Sequence, residues 1–449
     1  MKTTNNDLIY GPEDNLPLLE SGLLGLQHVL AMDVYVPPLI IAGLLSMGTV
    51  QKTGFLQVAF LACGIGTLIQ TGLLMKMPMS QGPSYVPVGA VVGVYLANGG
   101  AHGGMATVIG ACVVGALLLV ALGVSGIYQK IVNKLVPPIV GGTIIACVGL
   151  SLLPSALNDN IFQASGNVNQ NMILAGITMF ALLLVIILSN YFARLQKFLK
   201  ASSIVIAMFV GTLTAASMHL FSWKSIQNAA WFSWPHFTIL HYGINFSASA
   251  ILTFVIIYIV LTTETMGTWF AMSSVTASKI TKKQWDRGLI GEGLSCLIAA
   301  LLGSTPMTGY STNAGVVSIT GVASRKVFLA VGFWFIILGF VGKLSAFLAA
   351  IPSAVIGGIF SIICIIIMLN GLKSIPKADG NQIYIIGIPM VLTFALVLIP
   401  AKIINQAPQF LQYFLKSPIT IAALAAIILN LVLNWQPQIM RNKVNLQDE

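Results

Sequence analysis

Two breaker-rich segments interrupt an otherwise apolar chain at matching places in its two halves. Pro78-Met79-Ser80-Gln81-Gly82-Pro83-Ser84-Tyr85 leads into a short Gly/Val-rich stretch, and Pro306-Met307-Thr308-Gly309-Tyr310-Ser311-Thr312-Asn313 does the same about 220 residues later. A second echo has similar spacing: Val136-Pro137-Pro138-Ile139-Val140-Gly141-Gly142 is answered by Ile351-Pro352-Ser353-Ala354-Val355-Ile356-Gly357-Gly358. Paired breaks in corresponding positions of two halves mark a transporter built from internal repeats, and they point to its binding site.

The remainder of the chain belongs in a bilayer. Hydrophobic residues make up 57% and charged residues only 8%, where a soluble domain carries about a quarter charged. Apolar runs long enough to cross a hydrocarbon core of about 30 Å recur throughout. They predict spans near 18–45, 55–75, 83–98, 105–125, 136–153, 171–191, 201–222, 247–272, 285–303, 308–322, 327–347, 353–371, 382–402 and 416–434. Fourteen spans put both termini on one side. With that side cytoplasmic, seventeen Lys and Arg residues face inward and five outward, a positive-inside bias. The net charge of +10 then follows from topology and attraction to anionic lipid, so nucleic acid is not an expected partner.

The expected organisation is a cytoplasmic tail (1–17), a first repeat of seven spans (18–222), an outer connector (223–242), a second repeat (243–434) and a cytoplasmic tail (435–449). Seven is odd, so the repeats are inverted relative to each other. The connector holds Trp223, Trp231, Trp234, His236 and His241, an aromatic belt for the outer interface. The polar start lacks a basic leader or cleavage site, so no removable signal peptide is expected. Five cysteines (63, 112, 147, 296 and 364) fall inside spans without a CxxC pair. They read as packing residues, with no metal site and no cofactor expected.

Spans 3 and 10 are short and open with Pro, Gly and hydroxyl residues. Such backbone survives in a membrane only where protein buries it or a polar cavity adjoins it. An extended stretch followed by a half-helix, its first N–H groups facing the cavity, is the expected form.

Four acids lie within or at the edge of spans: Glu20, Asp33, Glu264 and Glu292. Glu20 is near the inner edge. An acid at a helix centre costs roughly 2.5–3.5 kcal/mol on insertion scales, so the others should face a cavity. Glu264 lies in the polar patch Thr262-Thr263-Glu264-Thr265-Met266-Gly267-Thr268, where a carboxyl can couple substrate binding to proton binding or anchor a hydrogen bond. Glu292, between Gly291 and Gly293, is either a second titrating group or a brace for Glu264. Asp33 precedes Pro37-Pro38 at a disturbed end of the first span, and function and a solvated structural role are both open for it. Gln27-His28 is a further intramembrane polar pair, either functional or structural. Tyr85 and Tyr310 hold matching places before the half-helices and could stack on a flat ligand or simply pack.

These patterns resemble the nucleobase–ascorbate (xanthine/uracil permease) family of nucleobase–cation symporters over nearly all of 18–434. Gln27-His28 resembles the family's Gln-His pair in span 1, Ser84-Tyr85 its Ser-aromatic step in span 3, and Glu264 the base-holding glutamate of span 8. Asn313-x-Gly315-x-x-x-x-Thr320-Gly321 fits its span-10 signature. The resemblance implies an all-α, 14-span, 7+7 inverted repeat. Spans 1–4 and 8–11 would form a core, spans 5–7 and 12–14 a gate, and short antiparallel strands would occupy broken spans 3 and 10. It implies import of a base across the plasma (inner) membrane, coupled to protons rather than sodium, often by a homodimer. Glu264 would accept N–H groups of the base. Backbone near Tyr85 and Ser311 would complete its polar edge, with Tyr310, Thr312, Asn313, Gln27 and His28 also in the site. From the residues themselves, Glu264, Glu292 and Asp33 are the candidate proton-coupling acids.

Three positions depart from the family. Thr312 stands where Gln or Glu usually pairs with the base, Thr268 where His or Asp is common, and Asp33 where no acid is expected. The room left by Thr312, with Gly321 ending the signature, favours an oxopurine such as xanthine or uric acid. Uracil is the alternative, as is an anion on the same 7+7 fold, although Glu264 would repel an anion. The HExxH, GxSxG and phosphate-loop motifs are all missing, so neither an enzyme nor an ATP-driven pump is expected.

Overall fold

The computed structural model describes residues 8–30, 32–127, 135–192, 196–235, 242–310, 312–376, 380–406, 415 and 418–433. Helices dominate, because a chain without water around it must satisfy its backbone internally. In order they are α1 (Leu18–Leu30), α2 (Val36–Leu44), α3 (Thr49–Thr67, continued by a wide π turn over Leu68–Leu74), α4 (Val88–Ala97), α5 (Gly104–Ser125), α6 (Pro138–Pro154, continued over Ser155–Phe162), α7 (Val168–Tyr191), α8 (Gln196–Ser217), α9 (Ala248–Val275), α10 (Lys282–Leu302), α11 (Thr312–Thr320), α12 (Arg325–Phe340), α13 (Gly342–Ala349), α14 (Ser353–Ser374), α15 (Gln382–Leu398) and α16 (Pro418–Leu433). Among the described residues six are long and apolar enough to cross a bilayer: Thr49–Leu74, Gly104–Ser125, Pro138–Phe162, Val168–Tyr191, Ala248–Ser273 and Ser353–Ser374.

The helices sort into two bundles, each drawn from both halves of the chain. In one, α10 packs on α5 and α3, α12 on α3 and α1, and α9 on α5; in the other, α14 packs on α6 and α7, and α15 on α6 and α16. Small residues permit the closest crossings. A Cβ on Gly371 of α14 would strike the backbone nitrogen of Ala146 on α6.

Two expected spans are each divided. The first splits between α1 and α2, where Pro37 and Pro38 occupy the first turn of α2 and the chain turns through Asp33. Proline suits a first turn and cannot continue a preceding helix. The span expected at 327–347 breaks at Val341, because the connector between the two halves docks there. Ser233 N–H donates to Phe340 O (3.0 Å) and Gly342 N–H to Trp231 O (3.2 Å). Gln57 Nε2 reaches both Ser233 Oγ (2.8 Å) and Gly339 O (3.1 Å). Trp231 and Trp234 remain exposed; His236 and His241 lie outside the described residues.

The N-terminal tail is more ordered than its polarity suggests. Ile9 and Tyr10 N–H groups donate to Gly321 O (2.8 and 3.0 Å), and Ala323 N–H donates back to Tyr10 O (2.8 Å). Tyr10 Oη donates to Glu20 (2.6 Å), and Leu16 is buried against Val322 and Val327. Residues 8–16 thus strap the chain just beyond α11. All five cysteines are buried and free.

Candidate functional site

The two breaker-rich segments meet. Gln81–Pro83 (β1) pairs antiparallel with Met307–Gly309 (β2), with Gln81 opposite Gly309, Gly82 opposite Thr308 and Pro83 opposite Met307. Ser84 N–H to Pro306 O (3.1 Å) and Tyr310 N–H to Ser80 O (3.0 Å) extend the pairing. Prolines and glycines cannot hold a helix here, but each strand satisfies the other's backbone, so the pair can lie buried. Gly82 is required on steric grounds, since a Cβ would overlap the Tyr310 ring. Half-helices α4 and α11 then lead away from this pair.

Side chains from this crossing reach a cavity of about 380 Å³ between the two bundles. One wall comes from the bundle holding the strands: Asp33, Tyr85, Val86, Glu264, Gly267, Thr268 and Ala271. The facing wall belongs to α6, α8 and α14, and among the described residues Asn370 is its single polar side chain amid isoleucines and Val148. The volume lies within the range of about 300–1,000 Å³ common for small-molecule sites.

Each acid is held differently. Glu264 accepts the Ser84 hydroxyl on Oε2 at 2.6 Å, and Thr268 Oγ1 donates to its backbone carbonyl (3.2 Å). Asp33, which the sequence left open, accepts Tyr85 Oη on Oδ2 (3.1 Å) and Tyr310 Oη on Oδ1 (3.0 Å). The matched aromatics of the two halves therefore converge on one carboxyl. Glu292 is fully buried behind β1 and β2. Thr265 Oγ1 donates to its Oε1 (2.6 Å) and also meets Thr308 Oγ1 (2.6 Å). Adjacent residues on α9, Glu264 and Thr265, thus supply the cavity acid and the hydroxyl that holds the buried one.

Other expected site residues lie elsewhere. Asn313 is buried with its amide on Ser80: Nδ2 donates to Ser80 O (3.1 Å), and Oδ1 accepts Ser80 Oγ (2.9 Å). It ties α11 to the first break and does not line the cavity. His28 is buried with Nδ1 against Leu24 O (2.8 Å) and its ring edge-on to Phe328 at 5.2 Å, packing α1 on α12. Gln27 is exposed and also absent from the cavity wall. Ser311 lies outside the described residues; Thr312 begins α11, and its side chain lies outside the description. The sequence reading missed Asn370 and the aliphatic wall. The signal was slight: one polar residue before Gly371, near the end of span 12. Among the described residues no cluster of His, Cys, Asp and Glu could hold a metal ion.

Comparison with known proteins matches residues 19–402 to the permease family. A Clostridium perfringens protein bearing the provisional name of a purine permease is 31% identical across 100% of this chain and 98% of its own length. The xanthine permease of Bacillus subtilis is 28% identical, with 92% of this chain and 93% of that protein covered. A uric acid permease of the same organism is 27% identical over 82% of this chain and 85% of its own length. The transmembrane domain of a cyanobacterial bicarbonate transporter superposes with a TM-score of 0.57 at 17% identity, covering 93% of this chain and 99% of that one. A murine solute carrier 26 anion transporter in the inward-facing state gives 0.56 at 16% identity, covering 86% and 66%. At such identities these structures share the fold alone.

Proposed function

This chain belongs to the permease family, an integral membrane transporter and not an enzyme, and we propose that it imports a purine nucleobase together with a proton. The observation that carries this reading is the Glu264 carboxyl, held by Ser84 at the wall of a cavity between two bundles. A carboxyl there accepts N–H groups of a base and can gain or lose a proton during the cycle. The aliphatic facing wall suits a flat heterocycle. Relatives named for xanthine, uric acid and purines support the substrate class. The oxopurine expectation rests on Thr312, and xanthine and uric acid belong in any substrate panel.

The finer architecture is part of the same proposal: fourteen spans in two inverted repeats, both termini cytoplasmic, and homodimers in the plasma (inner) membrane. The strand-bearing bundle is the core that carries substrate. The bundle of α6–α8 and α14–α16 is the gate against which it moves, with Glu264 as the substrate-coupled proton site and Glu292 as its buried partner.

The test is uptake of labelled purine bases by proteoliposomes under an imposed pH gradient, with internal pH followed in parallel. Wild-type protein should accumulate base and dissipate the gradient, and Glu264→Gln should do neither while remaining folded. Gradient-driven accumulation by Glu264→Gln equal to wild type would refute the assignment.

A further inference from the structure

The polar groups at the cavity are unequally divided between donors and acceptors. Tyr85 and Tyr310 both direct their hydroxyl hydrogens to Asp33. Ser84 directs its own to the Glu264 carboxyl, and Thr268 to the Glu264 carbonyl. These four described hydroxyl hydrogens are therefore committed within the protein. Among the described residues the cavity wall contains two acids and no Lys, Arg or His, and Asn370 is the one amide side chain there. Asp33 accepts one phenol on each oxygen, so it is an acceptor on both, and each oxygen has a second lone pair to offer.

Resting on the reading of this cavity as the base site, we propose that Asp33, held by Tyr85 and Tyr310, is a specificity-determining acceptor that selects a neutral, amino-bearing purine. Guanine is the model ligand. Its N1–H and 2-amino groups form an adjacent donor pair that suits one carboxyl, and its imidazole N–H is a further donor for the other. Xanthine places its N1–H between two carbonyls, so the group beside N1–H that would face the second oxygen of Asp33 is an acceptor, not a donor. Uric acid is largely an anion at neutral pH and would enter between two acids with no Lys, Arg or His among the described lining residues. A buried polar group of the ligand left unmatched loses its hydration without compensation. Asp33 and its two tyrosines therefore turn the preference from xanthine and uric acid, which Thr312 alone suggests, toward a purine with a 2-amino group in place of the C2 carbonyl. Asp33 is also the acid for which the family resemblance had no place.

The experiment uses full-length protein in proteoliposomes under the same pH gradient. Uptake of labelled guanine and, separately, labelled xanthine is competed with unlabelled guanine, adenine, hypoxanthine, xanthine, uric acid and uracil. Wild-type protein should favour guanine over xanthine and uric acid by about tenfold or more, the scale of one unmatched buried hydrogen bond. Asp33→Asn, which presents a donor as well as an acceptor, should compress that ratio toward xanthine, and Tyr310→Phe should move it in the same direction. A merely structural role for Asp33 would lower uptake of every base alike and leave the ranking unchanged. Xanthine or uric acid competing as well as guanine in wild-type protein overturns the inference. So does an unchanged ranking in Asp33→Asn, or in Tyr310→Phe should the former not reach the membrane. If no base is taken up or competes, it is the nucleobase reading itself that fails.

Discussion

Asp33 and Gly82 illustrate how single residues set this site. Asp33 receives a phenol from each half of the chain, which explains why an acid persists beside a proline pair in a membrane. Glu264 was legible from sequence because a charged residue amid apolar neighbours is costly unless it has a task. Its partner Ser84, 180 positions earlier, was visible as a motif but not as a contact. Gly82 lies where β1 passes the Tyr310 ring without room for a methyl group. Gly82→Ala should displace that ring or separate the strands, at a cost of about 1–3 kcal/mol for overpacking. The expected outcome is a lower thermal midpoint with impaired uptake; unchanged stability would mean that the ring moves aside freely.

At the scale of elements, the paired breaks are one unit. Neither β1 nor β2 could persist alone in an apolar environment, because three residues of extended backbone would be left without partners. Asn313 and Ser80 lock the unit by a reciprocal pair of hydrogen bonds. Asn313→Ala should lower stability by about 1–3 kcal/mol, since the Ser80 hydroxyl loses its buried acceptor. Combining it with Ser80→Ala should add little, as expected of two groups acting as one. Thermal unfolding of the two single variants and the double variant checks this, and fully additive losses would show the two side chains to be independent. The existence of the breaks was readable from Pro and Gly placement. Their register was not, because it depends on how two segments more than 200 residues apart meet. The divided span at Val341 has a similar origin: its sequence contains no proline, and it breaks because the connector supplies hydrogen bonds there.

Across the whole molecule, the cavity lies between two bundles, and movement of one past the other would expose it alternately to the two sides. A second cavity, lined by Pro137, Gly141, Met266, Phe270 and Ser374 among others, shares Ile145 and Gly267 with the first. In the proposed orientation, with both termini cytoplasmic, this opening lies on the cytoplasmic side. Ser374→Cys should therefore react with a membrane-impermeant maleimide in inside-out vesicles and not in right-side-out ones. The five native cysteines are buried and should contribute little background. Labelling from the outer side alone would reverse the proposed orientation.

By itself the amino-acid sequence determined that this protein lives in a membrane, that its two halves repeat one another's breaks, and that Glu264 stands out as an acid amid apolar neighbours. These are properties of composition and order, written locally and independent of how segments meet. Only the tertiary structure decided that Tyr85 and Tyr310 share Asp33, that Asn313 and His28 serve packing, and that an aliphatic wall with Asn370 faces the acids. Those facts depend on distances between residues far apart in the chain, which backbone pairing of β1 with β2 and the docking of two bundles bring together.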